Sequence, residues 1–323
     1  MVAGEAMRRS FARWLAPAIV LGPLVAQTQP TPQRPPPPGP PPSAEVDDHR
    51  AFGGLPEARI LEAIHGARVL GRNNVGSTSV NLHLHLEGGI DASFKPRTTT
   101  HGDKYRAEIA AYRLNRMLGL TRVPPAITRS VPRSILRLAP DSPAVYDRDN
   151  TLRGAAIYWV PVLRPSRVDE PAEQERWGRW LRAGHAVPPD QSVRAEEIST
   201  LLVFDFLTGN WDRWSGANVP MDAQGHLIYR DNNGAFDEPF VDGLLQRSRF
   251  WLQHTQQFNR SVITRARGLT EASVRAEMAL DPEHNAPPLT SGQIRSLLRR
   301  RDLLLEYVEG LRRHHSDADV YRW

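Results

Sequence analysis

Residues 28–42 read TQPTPQRPPPPGPPP, and this tract limits the chain more than any other. Proline fixes its own φ and has no amide hydrogen to donate. A run this dense excludes helix and sheet ladder alike and predicts an extended, semi-rigid polyproline spacer. Whatever core the chain builds must come from the residues after it. A second reading of the tract, a ligand for proline-binding modules, suits a different compartment. Ahead of it, Met7-Arg8-Arg9 precede an apolar run from Trp14 to Ala26 that closes on small residues and Gln27. A charged start, a short apolar stretch and a small-residue exit describe an export signal, and the run is too short for a membrane span. The expected organisation is a signal peptide over 1–27, a Pro-rich linker over 28–50 and one domain over 51–323, with no stable membrane span once the signal is cleaved. An uncleaved signal anchor is the alternative.

The whole chain has 323 residues, 40% apolar and 24% charged, enough for one large or two modest domains with cores of their own. Cysteine is absent, which excludes disulfides, thiolate nucleophiles and cysteine metal sites. An exported chain without disulfides fits a bacterial periplasm or cell surface better than a eukaryotic secretory route. The net charge is +5, but the basic residues are dispersed, which reads as a solvated surface and not as a nucleic-acid stripe. No nucleic-acid partner is expected. Of 41 basic residues only Lys95 and Lys104 are lysine. A compact ammonium on a flexible stem suits a single phosphate oxygen where a planar guanidinium does not, so a lysine kept in this arginine background is a candidate for chemistry. For Lys104 a chance leftover is the plainer account.

The folded part begins near Ala51 with a short helix through His65. Alternation at Val80, Leu82, Leu84 and Leu86 predicts a strand, and Glu87-Gly88-Gly89 turns it into a second strand that ends at Phe94-Lys95-Pro96. Gly71, Gly76 and Ser77 form a loop upstream that could lie over phosphates, without a full glycine fingerprint. His83 and His85 share one face of the first strand, where they read as a solvent-facing polar stripe more readily than as a metal pair. KYRAEIAAYRLNRMLGL, from Lys104, has near-helical apolar spacing and predicts an amphipathic helix with Glu108 in its first turn. Strands follow in TRVPPAITRSVPR and in LRGAAIYWVPVLRP, the latter stopping at Pro161. RAEEISTLLVFDFLTG predicts a helix, and IRSLLRRRDLLLEYVEGLRRHH a long one near the C-terminus, with His314 and His315 solvated at its end.

From the end of the first of these helices runs FDFLTGNWDRWSGANVPMDAQGHLIYRDNNGAF, residues 204–236. Asp212 sits in GNWDRW after an apolar run, and Asp231 follows the strand-like HLIYR and precedes Asn-Asn-Gly. Two acids at loop edges, bridged by a hairpin, suggest a place for a cation and a phosphate; that both merely cap turns is the competing account. Trp211 and Trp214 read as packing residues. Trp177 and Trp180 read as a small helix against the larger lobe, or as a docking surface for substrate.

FKP, then AEIAAYRLNRMLGLTRVPP, then GAAIYWVP, then FDFLTGNWDR and DNNGAF stand in this order over roughly residues 70–250. In order and wording they resemble the secretory-pathway kinases that include the Golgi casein kinase and the Four-jointed-like kinases. The resemblance implies an α+β, atypical protein-kinase-like two-lobed fold: a β-rich small lobe over about 51–162 and a mostly α-helical large lobe over about 163–323, without the usual HRD and DFG wording. It implies ATP with Mn²⁺ or Mg²⁺, and a protein or glycan bearing hydroxyl groups as acceptor. Carried over residue by residue, Lys95 matches the phosphate-binding lysine and Glu108 the acid that orients it or touches the metal. Asp212 matches the base that takes the acceptor's proton, and Asp231 the metal-binding acid. Asn218 stands as a possible second metal ligand, six residues after Asp212 where the protein-kinase loop has five. Gly76 and Ser77 would cover the nucleotide. Arg213 is open between Asp231, a phosphate and a structural partner. The chain departs from the family in having none of its cysteines, no glycine fingerprint in the flap, and a short segment rich in Arg, Glu and Trp between Arg164 and Glu196. Two further readings remain: a nucleotide-binding pseudokinase acting as a scaffold, and a basic surface protein that binds anionic glycans or nucleic acid with steep salt dependence.

Overall fold

The structure, a computed structural model, describes residues 50–323 apart from 77–78, 215–216, 239–241 and 284–285. The expected signal peptide and nearly all of the linker lie outside the described residues, as does Ser77. Two short strands, β1 (Ala51–Phe52) and β2 (Leu55–Pro56), lead into helix α1 (Glu57–Gly66). Then come β3 (Val69–Asn74), β4 (Leu82–Leu86), β5 (Ala92–Pro96), α2 (Tyr105–Met117), β6 (Ala126–Pro132), α3 (Arg133–Leu136) and β7 (Thr151–Tyr158). From there the described residues form helices: α4 (Pro171–Trp180), α5 (Ser192–Thr208), α6 (Asp242–Leu252), α7 (Arg260–Arg267), α8 (Glu271–Met278), α9 (Ser291–Arg312) and α10 (Asp317–Val320).

The five longer strands make one antiparallel sheet in the order β3-β4-β5-β7-β6. Alternation decides its two faces. Leu82, Leu84, Leu86, Ala92 and Phe94 are buried and join Ile60 and Ile64 of α1 in one apolar cluster. The intervening residues, His83, His85, Ser93 and Lys95, therefore stand on the opposite face. A second, larger cluster gathers α5 and the C-terminal helices, with Phe204, Phe206, Leu297 and Leu304 at its centre. The result is the two-lobed α+β fold, β-rich first and helical after.

Two differences from expectation have physical reasons. Helix α2 is not amphipathic but buried on nearly every side, from Ala107 through Asn115. It lies between the sheet and the helical cluster, and its Arg113 and Arg116 reach Glu277, while Arg116 also meets Glu57. The segment HLIYR is not a ladder strand. It makes an isolated bridge, Met221 with Leu227, and its backbone bonds go to separate partners, Ile228 N–H to Pro220 O and Tyr229 N–H to Arg122 O. Trp177 is buried, donates its indole N–H to Val168 O at 2.9 Å and stacks on Trp214 with ring centres 6.0 Å apart, so packing accounts for both rings. No described helix is long and apolar enough to cross a membrane.

Candidate active site

Lys95 is placed by the centre of the sheet. Strand β5 has β4 on one side and β7 on the other, with Lys95 paired to Ala155 and Pro96 to Gly154. Glycine is required at 154, because a Cβ there would stand 2.3 Å from Lys95 O and 2.6 Å from Pro96 Cα. Glu108 is brought opposite by the first turn of α2. Lys95 Nζ donates to Glu108 Oε1 at 2.5 Å and to Asp231 Oδ1 at 2.9 Å, across 136 residues of chain in the second case. The other Glu108 oxygen accepts from the backbone N–H of Asn232 at 3.0 Å and from its side-chain amide at 3.3 Å.

Burial alone would lower the pKa of the Lys95 ammonium, but Glu108 and Asp231 outweigh it and hold it above the ordinary lysine value. Burial works to raise Asp231, and Lys95, helped by Arg230 and Arg213, more than offsets this and holds its carboxyl below the usual range. Both groups are charged at neutral pH. Asp231 also has φ +58°, the left-handed region that Asp and Asn enter far more readily than other side chains. Phe236, five residues on, has φ +56°, which for a bulky residue is an outlier. It is held by its N–H to Thr208 O at 2.8 Å and by Gln293 Nε2 on its carbonyl at 2.7 Å.

Asp212 comes into the same loop system from α5, which ends on Gly209 in the left-handed conformation, φ +67°. Its N–H donates to Asn210 Oδ1 at 3.1 Å. Its side chain lies against Gly234, where an added Cβ would be 2.9 Å from Asp212 Cβ. Asn218 donates its amide to Asp212 O at 3.2 Å. Arg213 settles on a structural partner: its guanidinium grips Asp205 through three contacts of 3.0–3.1 Å, reaches Asn232 Oδ1 at 2.7 Å and also bonds the carbonyls of Asn218 and Arg230.

A cavity of about 380 Å³ opens above this centre, within the usual size of ligand sites. Lys95, Glu108, Asp231 and Asn232 line one part of it; Val75, Val123, Ile157, Trp159, Val160, Leu163 and Ile228 line much of the rest, with Asn81, Ser93 and Arg230 among them. A largely apolar slot with a lysine and two carboxylates in its wall fits a flat base with an anionic, metal-bound tail. Asp212, Asn218 and Gly76 are not among the described lining residues. The Gly76 N–H is spent inside its own loop, on Asn81 O at 3.1 Å and Asn74 Oδ1 at 3.3 Å. A Cβ at Gly76 would collide with Ser79 O at 1.9 Å.

Sequence reading missed three members of this centre. Asn232 ties Glu108 to Arg213. Asp205 is the counter-ion of Arg213, and its signal was present: an isolated acid in the apolar turn Phe204-Asp205-Phe206. Asp237 accepts from Trp211 Nε1 at 3.0 Å and pairs with Lys104.

The fold is a kinase-like one of two lobes. In sequence, the chain resembles the secretory-pathway kinases. It is 25% identical over 311 aligned positions to a glycosaminoglycan xylosylkinase of Danio rerio, covering 78% of this chain and 74% of that one. To the glycosaminoglycan xylosylkinase of Homo sapiens it is 26% identical over 220 positions, 51% of this chain and about half, 53%, of the human one. The crystal structure of the Golgi casein kinase with Mn/ADP bound superposes with a TM-score of 0.60 at 14% identity, over 82% of this chain and 78% of that chain, a likeness of fold. No family model matches the chain.

Proposed function

We propose that the chain is an exported, metal-dependent kinase that transfers the γ-phosphoryl group of ATP to a hydroxyl of a protein or glycan. The observation that carries this reading is the Lys95 ammonium held between Glu108 and Asp231 in the wall of the cavity. Relatives named as xylosylkinases and a neighbour of the same fold holding Mn and ADP support it. The donor set supports a metal as well. Two carboxylates share one ammonium, leaving excess negative charge, and hard oxygen donors suit Mg²⁺ or Mn²⁺. Asp231 and Glu108 would hold the ion, with Asn218 a further candidate; when bound it neutralises charge that builds on the phosphates.

The residues divide the work. Lys95 binds a phosphate oxygen, and Glu108, buried and bonded to Asn232, fixes where the ammonium points. Gly76 and Ser77 would cover the nucleotide, as the resemblance implies. Asp212 accepts the acceptor hydroxyl's proton as that oxygen bonds to the γ-phosphorus; the bond from the phosphorus to the β–γ bridging oxygen breaks and ADP leaves. Export rests on the sequence of residues 1–27, and so does a periplasmic or extracellular location.

The test is metal-dependent ATP turnover by the purified chain, with Asp212→Ala and Asp231→Ala beside it. Wild-type activity in either variant overturns the assignment. The inward commitment of the Gly76 N–H favours a second reading, a pseudokinase that binds nucleotide without turning it over. Nucleotide-dependent thermal stabilisation with no product would select it.

A further inference from the structure

Beside the cleft, three side chains converge on the hairpin of β4 and β5. His83 and His85 are two apart on β4, so the pleat sets both imidazoles on one face. That face is shared with Ser93, which pairs with His83 across the ladder. Asp91 stands just before β5. His83 Nε2 is 2.9 Å and His85 Nδ1 3.0 Å from the same oxygen, Asp91 Oδ2, and one ligand atom from each of the three lies within 4.8 Å of the other two.

We propose that His83, His85 and Asp91 form a binding site for a divalent transition ion of the Co²⁺ to Zn²⁺ range, separate from the Lys95 centre. Ligands on such an ion, at bonds of about 2.1 Å, stand roughly 3.0–3.4 Å from one another, close to the two separations found. Two imidazoles and one carboxylate select these ions over Mg²⁺, which prefers an all-oxygen shell.

The outer contacts a metal site needs are also built. Asp91 Oδ1 accepts the Leu86 N–H at 3.1 Å, which leaves Oδ2 directed at the histidines. The far nitrogen of His85 meets the Asn73 amide at 2.9 Å, and that amide can present its oxygen instead once the ion displaces the Nδ1 proton. The His83 ring stacks on Trp159, 3.8 Å between centres and 10° from parallel. Side-chain exposures of 14%, 41% and 25% for His83, His85 and Asp91 leave a path for a hydrated ion and room for water to complete its shell. Because Trp159 lines the cleft, an ion held here ties the hairpin to the cavity wall.

The experiment uses the full chain carrying Asp231→Ala, which takes a carboxylate ligand from the other candidate metal site, after stripping with chelator. Titration with Co²⁺ should give one equivalent bound with a visible d–d band that Zn²⁺ displaces, and Zn²⁺ should raise the melting temperature. Adding His83→Gln or His85→Gln should abolish the band, and Asp91→Asn should weaken binding by about tenfold or more. Asp91→Asn keeps an acceptor for Leu86, so it reports on the ligand without unlatching the hairpin. Absence of a band with Asp231→Ala alone, or equal Co²⁺ affinity in the three added variants, overturns the site. Kinase turnover is not the readout, so either proposal can fail without the other.

Discussion

Two ionic centres lie on either side of Asn232, and they are built to opposite ends. Arg213 is fully buried and its donors are filled by Asp205, Asn232 and two backbone carbonyls. Lys95 is also held by two oxygens at short range, but one belongs to Asp231, whose side chain is 32% exposed and lines a cavity. Burial pushes the Asp205 carboxyl up, with Arg213 pulling against it; the Asp231 carboxyl is held down. A pair closed on itself fixes a loop. A pair with a carboxylate edge open to a cavity can exchange partners with a ligand.

The comparison breaks first at Asp231. Asp231→Asn keeps the shape, the hydrogen-bond capacity toward Lys95 and the tolerance for φ +58°, and removes only the charge. Phosphoryl transfer should fall by on the order of a thousandfold or more, since positioning and charge stabilisation supply most of its catalysis. The melting temperature should move little. A variant that keeps its rate would make this centre as structural as the other.

Arg213→Met should show the reverse balance. It leaves Asp205 buried without its counter-ion, which costs about 3–5 kcal/mol, a fall of roughly 10 °C for a chain of this size. Adding Asp205→Leu should restore part of that loss, because an apolar replacement of a whole buried pair is often neutral. If the double variant melts below the single one, Arg213 acts through Asn232 and the carbonyls more than through Asp205.

A smaller effect separates charge from shape at Lys95. Lys95→Arg keeps the cation, yet a planar guanidinium cannot place one donor between Glu108 and Asp231 as an ammonium does. Turnover should drop by about 10- to 100-fold, with the chain still folded by circular dichroism. Full activity would remove the reason for a lysine in an arginine-rich chain.

How much of this was legible depended on how local the signal was. The β4–β5 hairpin, the strand-end Lys95 and the first-turn Glu108 were readable because alternation and helix spacing are short-range patterns. Motif order named Lys95 and Asp231 singly, but their contact spans 136 residues, and no local pattern announces it. HLIYR looked like a strand because its residues suit one; it fails as one because its backbone groups find partners in loops. Asp205 and Asn232 were passed over because a buried ion pair depends on a partner that only folding supplies. Asp91 was missed in the same way: beside the Gly-Gly turn it reads as turn chemistry, although it receives both histidines.

The finest test of the two centres is their dependence on pH, where the expected signs differ. The folded chain holds Asp231 below its ordinary 3.8, so its charge contributes stability above that pH and loses it as pH falls through the lower, folded value. Lys95, held above its ordinary 10.5, contributes below that pH and loses it only as pH rises past it. The stability of the wild type minus that of Asp231→Asn, from denaturant titration, should therefore be flat across neutral pH and shrink in acid. Asp205 is raised above 3.8, so its contribution is fully present below that pH and is lost as pH rises through the folded value. The same difference taken with Asp205→Asn should grow in acid. Parallel curves for the two variants would mean that Asp231 is as closed to solvent and ligand as Asp205.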